Sequence, residues 1–336
     1  MNNGANGFSS PTTMVRNGTV DLAVFEQGNP DGPTLVLVHG WPDTHQLWDR
    51  VAEQLPDRFR VVTYDSRGAG RSTVPAAVAD YDLEVLATDL FAVIDAVSPD
   101  RPVHVLAHDW GSLQAWEAVC APGARRRIAS LTSTSGWCFD HLGHWMWRNL
   151  RNPTASGLGK VLAQTVASFY ALLFHIPVLP ELVTGRVLAP RWPLFISLFD
   201  RTDPGLVRPA PTIGRDAANG LRLYRANTRH RLLRPRDRRT DLPVQLVVNT
   251  RDKAVLPFGF EETARWASDL RRVEIRAGHW SPISHPAELA DVTAGFVTDV
   301  IARGGGAAPA VGGGAAPAVG GGAAPAVGGD VAAANF

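Results

Sequence analysis

A short turn constrains this chain more than any other feature. Residues 107–111 read Ala-His-Asp-Trp-Gly and join an apolar, β-branched run, VHVL, to a segment with helical periodicity. Small residues lie two positions before and two positions after Asp109. A sharp strand-to-helix turn that lifts its central side chain above a sheet edge needs small residues there, because bulky ones would clash. The turn therefore predicts an α/β sheet with Asp109 projecting from its edge, although a lone carboxylate could also simply cap the helix.

Strand-like and helix-like segments alternate around this turn. The strand-like runs are TLVLVHG, RVVTYD, VHVLAHD, IASLTSTSG, VQLVVNT and VEIRA. Residues 82–97 and 111–120 have helical patterns, and a final helix is predicted after Pro286. This alternation predicts a mostly parallel sheet covered by helices on both faces.

The sheet pattern is interrupted once. Residues 137–240 are rich in Trp, Phe, Leu and Arg and show helical periodicity, which predicts a helical cap inserted between core segments 19–136 and 241–303. Residues 1–18 are predicted to form a flexible amino-terminal segment. The motif GGGAAPAV occurs three times over residues 304–327, and its glycine content predicts a low-complexity flexible tail over residues 304–336.

Composition excludes several classes of protein. With 45% hydrophobic and 19% charged residues, the chain resembles globular rather than disordered proteins. Its 33 basic and 32 acidic residues give a net charge of +1, too balanced to predict a nucleic-acid partner or binding to anionic lipid. The cysteines, Cys120 and Cys138, form no CxxC pair, so neither a disulfide framework nor a metal site or cofactor is predicted.

The sequence also bears on localisation. The amino-terminal residues are polar and small where a signal peptide needs an apolar stretch, which predicts a cytoplasmic protein. The most apolar long stretch, residues 169–183, is interrupted by His175, Pro177 and Pro180, so no membrane span is predicted.

Asp109 predicts a particular chemistry. A carboxylate displaces a leaving group from an sp3 carbon and leaves an ester, which suits epoxides or alkyl halides better than carboxylic esters. Hydrolysis of that ester needs a histidine and an orienting acid, in the chain order nucleophile, acid, base. His279, after VEIRA, is the predicted base, and His285 is its rival. Asp252, after VQLVVNT, is the predicted acid. The neighbouring Lys253 either points outward or pairs with Asp252, and such pairing would weaken the hold of Asp252 on His279.

Three motifs carry a family resemblance. His-Asp-Trp-Gly-Ser at residues 108–112 resembles the nucleophile motif of epoxide hydrolases with the α/β-hydrolase fold, and nearly as closely that of haloalkane dehalogenases. His-Gly-Trp-Pro at residues 39–42 resembles the HGxP motif, and DSRGAGRS at residues 65–72 resembles the D-x-R-G-x-G-x-S turn. The resemblance runs from about Thr19 to Ala302. It is strongest to the hydrolase part of actinobacterial proteins in which a short-chain dehydrogenase domain follows, where this chain has its repeat tail.

The resemblance implies further site residues. Tyr170 and Tyr224 match the cap tyrosines that protonate the epoxide oxygen, unless both phenols only pack at the cap interface. The backbone N–H groups of Trp41 and Trp110 are the predicted oxyanion hole, and the bond between Trp41 and Pro42 is a candidate cis peptide. His39 and His108 are predicted to be structural.

Two alternatives remain open at this point. A haloalkane dehalogenase would use Trp110 and a second halide donor, with Trp41, Trp145, Trp147 and Trp192 as candidates. It would often place its acid after IASLTSTSG, where the first carboxylate is Asp140. A hydrolase fold that only binds a ligand is the other alternative.

The predicted partners are a small hydrophobic epoxide and water. Seven apolar cap residues are predicted to line the pocket or to form core: Phe169, Leu172, Leu173, Phe174, Ile176, Phe195 and Phe199. The arginine-rich residues 229–239 are predicted to form a solvated cap edge.

Overall fold

A computed structural model describes residue 8 and residues 10–304 and contains one eight-stranded sheet among them. The strands are β1 (Thr13–Asn17), β2 (Val20–Gly28), β3 (Thr34–Val38), β4 (Arg60–Tyr64), β5 (Val103–His108), β6 (Ile128–Thr134), β7 (Val244–Asn249) and β8 (Leu270–Ile275). Their order is β1-β2-β4-β3-β5-β6-β7-β8, and only the pairs β1·β2 and β2·β4 are antiparallel. The predicted mostly parallel sheet is confirmed.

Helices cover both faces of the sheet. Successive side chains of each strand point to opposite faces, so both faces need to be covered. In β3, Val36 and Val38 belong to one buried apolar cluster, and Leu35 and Leu37 belong to the other. The first cluster includes α2 (Leu83–Val97) and α3 (Trp110–Val119). The second includes α1 (Asp49–Ala52), α11 (Ser281–Ser284) and α12 (Pro286–Ala302). Strands buried on both faces explain why the core runs are continuously apolar.

The described residues between β6 and β7 form helices and connecting loops. The α-helices are α4 (Phe139–Arg151), α5 (Ala155–Ala167), α6 (Tyr170–Leu173), α7 (Leu179–Leu182), α8 (Trp192–Asp200), α9 (Ile213–Asn219) and α10 (Leu221–Leu233). A π-helical turn follows α7 at Val183–Leu188. Shorter 3-10 turns occur in the chain at His45–Trp48, Val78–Tyr81, Ala124–Arg126, Ala189–Arg191, Pro204–Leu206, Pro257–Phe260 and Thr263–Arg265.

The amino-terminal prediction is wrong for part of its range. Within residues 1–18, predicted to be flexible, Thr13–Asn17 form the edge strand β1 and pair with β2. Backbone hydrogen bonds to β2 order this segment although only Val15 of the strand is buried. The predicted tail lies outside the described residues except for Gly304.

A buried ion-pair network joins the helical segment to the sheet domain. Arg231 of α10, with its side chain 2% exposed, pairs with Glu117 at 2.8 Å, with Asp82 at 2.9 Å and with Asp140 at 3.5 Å. Arg236 also reaches Glu117 and Asp140. The prediction of a solvated edge over residues 229–239 is therefore wrong for Arg231, because Asp82 and Glu117 of the sheet domain face it across the interface, whereas Arg236 is 41% exposed.

The seven apolar cap residues divide into two groups. Phe174, Phe195 and Phe199 pack against other aromatic rings. By contrast, Phe169, Leu172, Leu173 and Ile176 are 42–65% exposed, so they neither line a closed pocket nor form core. Helical periodicity identifies an apolar face but not what that face contacts. No helix in the described part of the chain is long and apolar enough to cross a membrane.

Candidate active site

Asp109 occupies the strained turn that the sequence predicts. It follows β5 directly and precedes α3, with φ 51° and ψ −123°, a conformation that non-glycine residues rarely adopt. Its side chain is 14% exposed, so an incoming molecule can reach the carboxylate. The position lies between β3 and β5, where the strand order reverses and ligands of open α/β sheets bind.

Two glycines make this turn possible. A Cβ on Gly111 would lie 2.3 Å from the carbonyl oxygen of Val38, so α3 packs against β3 too closely for any side chain. A Cβ on Gly40 would lie 2.3 Å from Oδ1 of Asp109. Gly111, one of the two small residues that predict the turn, is therefore required by close approach of the backbone, and Gly40 by close approach of the Asp109 side chain.

His279 lies between the two predicted carboxylates. Its Nδ1 atom is 2.9 Å from Oδ2 of Asp252, and its Nε2 atom is 3.5 Å from Oδ2 of Asp109. Oδ1 of Asp252 accepts backbone N–H groups of Ala254 and Val255, which hold this carboxylate in place. The three side chains thus have the arrangement of a nucleophile, a base and its orienting acid.

The two carboxylates dominate the electrostatics of His279. Burial lowers the pKa of His279, but Asp252 and Asp109 outweigh this effect and raise the pKa well above its ordinary value. Burial acts to raise the pKa of Asp252, but the neighbouring His279 brings it below its ordinary value. The pair therefore favours a carboxylate and an imidazolium while Asp109 keeps its negative charge.

One predicted oxyanion donor contacts the Asp109 carboxylate directly. The backbone N–H of Trp41 donates to Oδ1 of Asp109 at 2.8 Å, and the bond between Trp41 and Pro42 is cis. Trp110 begins α3, where backbone N–H groups have no partner within the helix. Both predicted donors therefore lie on residues adjoining the Asp109 carboxylate.

Tyr170 and Tyr224 are neighbours beside Asp109. Their ring centroids are 6.0 Å apart, and the Tyr224 ring is 4.8 Å from the Trp110 ring. Burial, followed by the negative charge of Asp109, raises the pKa of Tyr170. Burial, followed by Tyr170 and Asp109, raises the pKa of Tyr224 well above its ordinary value. Both phenols therefore remain protonated hydrogen-bond donors at neutral pH.

The tryptophans that are candidate halide donors differ in whether their indole N–H has a hydrogen-bond partner. The indole N–H of Trp41 donates to the carbonyl of Ala217 at 3.0 Å, and that of Trp147 donates to the carbonyl of Leu232 at 3.0 Å. The indole nitrogens of Trp145 and Trp192 are buried and have no partner within residues 10–304. Trp192 packs against the rings of Trp41 and Trp280, at 6.4 Å and 5.4 Å.

Two carboxylates near His279 are absent from the sequence predictions. Both accept hydrogen bonds from Trp280, the residue after His279. Oδ2 of Asp43 accepts the indole N–H of Trp280 at 3.0 Å, and Oδ2 of Asp200 accepts the backbone N–H of Trp280 at 2.6 Å. Desolvation raises the pKa of Asp43 to about 7, although Trp280 and His279 act to lower it. Asp43 directly follows the HGWP motif, which is the one sequence signal for it. Asp200 ends a cap helix and has no such signal.

The alternative candidates for the base and the acid, and the lysine beside Asp252, have partners other than His279 and Asp252. His285 precedes α12 and contacts Ser284. Asp140 belongs to the Arg231 ion-pair network. The Nζ atom of Lys253 donates to the carbonyl of Phe199, so this lysine is directed away from Asp252.

His39 and His108 have structural contacts, as predicted. Nε2 of His39 accepts the backbone N–H of Ser66. Nε2 of His108 donates to the carbonyl of His279 at 2.9 Å, and burial lowers the pKa of His108 to about 4. Both imidazoles thus hold loops of the site as neutral groups.

Comparison with protein families and relatives gives consistent matches. A family model described as alpha/beta hydrolase fold matches residues 33–286. A Mycobacterium tuberculosis protein named "Probable oxidoreductase EphD" is 44% identical over 276 residues, 81% of this chain and 46% of that protein. The chain thus spans about half the length of the first relatives it matches. Epoxide hydrolase A of the same organism is 37% identical over 113 residues, covering 33% of this chain and 35% of that protein.

Solved structures agree at the level of the fold. A Bacillus megaterium epoxide hydrolase crystallised with an inhibitor superposes with a TM-score of 0.69 at 19% identity, over 85% of this chain and 100% of that chain. An epoxide hydrolase from hot-environment metagenomes superposes with a TM-score of 0.63 at 22% identity, over 86% and 99% of the two chains.

Proposed function

The chain belongs to the α/β-hydrolase fold family, and from this premise we propose that it hydrolyses epoxides to vicinal diols through a covalent ester on Asp109. The observation that carries the proposal is the pair of protonated phenols, Tyr170 and Tyr224, beside a carboxylate that also faces His279. An alkoxide is a poor leaving group and needs such acids, whereas a halide does not.

Ring opening is the first proposed step. An oxygen of the Asp109 carboxylate attacks an epoxide carbon, and the bond between that carbon and the ring oxygen breaks. The ring oxygen receives a proton from Tyr170 or Tyr224, and an ester of Asp109 remains. The other phenol donates a hydrogen bond to the same oxygen, so the developing charge is shared between two donors.

Loss of the Asp109 charge prepares the second step. Asp109 contributes to the raised pKa of His279, so formation of a neutral ester lowers that pKa. The tyrosinate left by ring opening then takes back a proton from the His279 imidazolium, which leaves a neutral imidazole. This imidazole accepts a proton from water at Nε2, while Asp252 holds Nδ1. The water oxygen attacks the ester carbonyl, and the tetrahedral intermediate collapses by breaking its bond to the substrate oxygen. That oxygen takes the remaining water proton, which completes the diol and restores the Asp109 carboxylate.

The backbone N–H groups of Trp41 and Trp110 are the proposed donors to the oxyanion of this intermediate. The support for Trp41 is its existing hydrogen bond to Oδ1 of Asp109, because that oxygen bears the charge if the ester forms through Oδ2. A donor that already points at this oxygen does not need to reorganise during the reaction.

Paired assays of diol formation and halide release test the function. Aryl, aliphatic and fatty epoxides are compared with chloroalkanes and bromoalkanes. We expect epoxide turnover, with each of Tyr170→Phe and Tyr224→Phe weakening ring opening and the double variant losing about 10²- to 10⁴-fold. Tyr81→Phe is the matched control, because that phenol bonds the carbonyl of Pro75 outside the site.

The same assays identify a dehalogenase. In that case halide release would be rapid, epoxide turnover would be indifferent to loss of both phenols, and Trp192→Phe would impair halide release. Under the proposed function Trp192→Phe leaves diol formation largely unchanged, because this indole has no role in ring opening.

A further inference from the structure

The outer surface of the cap exposes an unusual amount of apolar side chain. Of the twenty large hydrophobic side chains exposed among the described residues, fourteen lie between Leu158 and Leu198. We call these fourteen side chains the cap apolar surface. Large exposed apolar patches on soluble proteins mark sites of interaction with proteins or membranes.

The spacing of these side chains shows that whole helical faces are uncovered. Leu158, Leu162 and Val166 repeat every four residues on α5 and are 42%, 64% and 65% exposed. Leu194 and Leu198 repeat in the same way on α8 and are 54% and 73% exposed. A stripe with this period normally packs against a core. Here it faces outward.

Charge identifies the chemistry of the partner. Residues 137–240 contain sixteen Lys and Arg against six Asp and Glu, a net +10, whereas the rest of the chain carries seventeen against twenty-six, a net −9. The balanced total of +1 therefore conceals a strongly basic cap. Core carboxylates neutralise part of this charge through Arg231, Arg236 and Arg238.

The segment that carries the cap apolar surface also contains positive charge that core carboxylates do not neutralise. Between residues 158 and 198 the single carboxylate is that of Glu181, which Arg225 pairs at 2.6 Å. Arg186 and Arg191 lie within the same segment, are exposed, and form no ion pair in the part of the chain that the structure describes. Exposed leucines and unpaired arginines therefore occupy the same short stretch of chain.

We propose that the cap apolar surface docks onto an anionic phospholipid bilayer. Apolar helical faces enter the boundary between headgroups and acyl chains, and arginines beside them bind lipid phosphates. A nucleic acid would use the positive charge but would leave the aliphatic side chains in water. Attachment is peripheral, and it brings the proposed active site to the surface of a phase in which hydrophobic epoxides dissolve.

Vesicle co-sedimentation of the full-length chain tests the docking independently of catalysis. We expect binding to vesicles of phosphatidylcholine mixed with phosphatidylglycerol, weaker binding to phosphatidylcholine alone, and loss of binding as salt rises. The triple variant Leu162→Ser, Val166→Ser, Leu198→Ser should not bind. Each of Arg186→Gln and Arg191→Gln should weaken binding about fivefold, the effect expected for one basic residue near an anionic surface.

Control variants remove exposed groups elsewhere on the protein. Met14→Ser and Ile301→Ser change side chains that are 48% and 44% exposed on β1 and α12, and Arg101→Gln changes an exposed arginine before β5. All three should bind like the wild type. Circular dichroism and diol formation without vesicles show that the cap variants remain folded.

Two results would overturn the docking proposal. One is equal vesicle binding by the wild type and the triple variant. The other is absence of vesicle binding together with a concentration-dependent dimer that the triple variant abolishes, because a second copy of the chain would then cover the surface. Either result leaves the proposed hydrolysis untouched, since that is measured by diol formation in solution.

Discussion

The Nε2 atom of His279 lies 3.5 Å from Oδ2 of Asp109. At this distance the carboxylate stabilises the imidazolium, so it contributes to the raised pKa of His279. We expect Asp109→Asn to lower this pKa, because the amide keeps the shape of the side chain but carries no charge. Nuclear magnetic resonance of the imidazole over a pH titration measures the pKa of His279 in both proteins.

His104 is the internal reference for this titration. Burial lowers its pKa to about 4, and Asp109 does not act on it. The His104 titration should therefore be the same in both proteins. A His279 pKa unchanged by Asp109→Asn would mean that ester formation cannot switch this histidine to its basic form.

Arg231 should hold the cap to the sheet domain. Its buried guanidinium faces Glu117 and Asp140, whose side chains are 4% and 1% exposed. Arg231→Met removes the fully buried partner of these carboxylates and leaves them the more exposed Arg236 and Arg238, which should lower the free energy of unfolding by about 3 kcal/mol. Urea denaturation measures the change.

Arg229→Met is the control from the same helix. Arg229 is exposed and forms no ion pair among the described residues, so its loss should change the free energy of unfolding by about 0.5 kcal/mol or less. Equal stabilities of the two variants would show that the network does not hold the cap.

The proposed ring-opening step should tolerate alkaline pH. An ordinary tyrosine phenol has a pKa of about 10, but burial raises the pKa of both Tyr170 and Tyr224. Because the donor form is the protonated one, a raised pKa keeps it populated as pH increases. Single-turnover alkylation of the His279→Gln protein should therefore not decline as pH passes through about 10. A rate that falls with an apparent pKa of 10 or less would contradict donation by these phenols.

The sequence predicts the central strands because local signals and tertiary environment agree there. The runs TLVLVHG and VHVLAHD are apolar and contain β-branched residues, and the strands that they form are buried on both faces. The edge strand β1 gives no such signal, because one buried residue, Val15, leaves no apolar alternation to detect. Its order comes from hydrogen bonds to a neighbouring strand.

Residues that depend on packing between distant segments could not be predicted. Asp200 reaches the backbone of Trp280 from a helix eighty positions earlier, and no motif marks it. Leu172 has helical periodicity with its neighbours, yet it is 65% exposed. Periodicity shows that a helix has an apolar face, whereas contact with a core depends on where the helix lies.

A covalent adduct tests the central claim most directly. Asp109 and His279 are proposed to act in different steps, so His279→Gln should open an epoxide once and then retain the ester. Mass spectrometry of the digested protein should find one substrate-sized addition on the peptide containing Asp109. The double variant Asp109→Ala, His279→Gln should show none. An addition on another residue, or no addition while the wild type forms diol, would contradict the account.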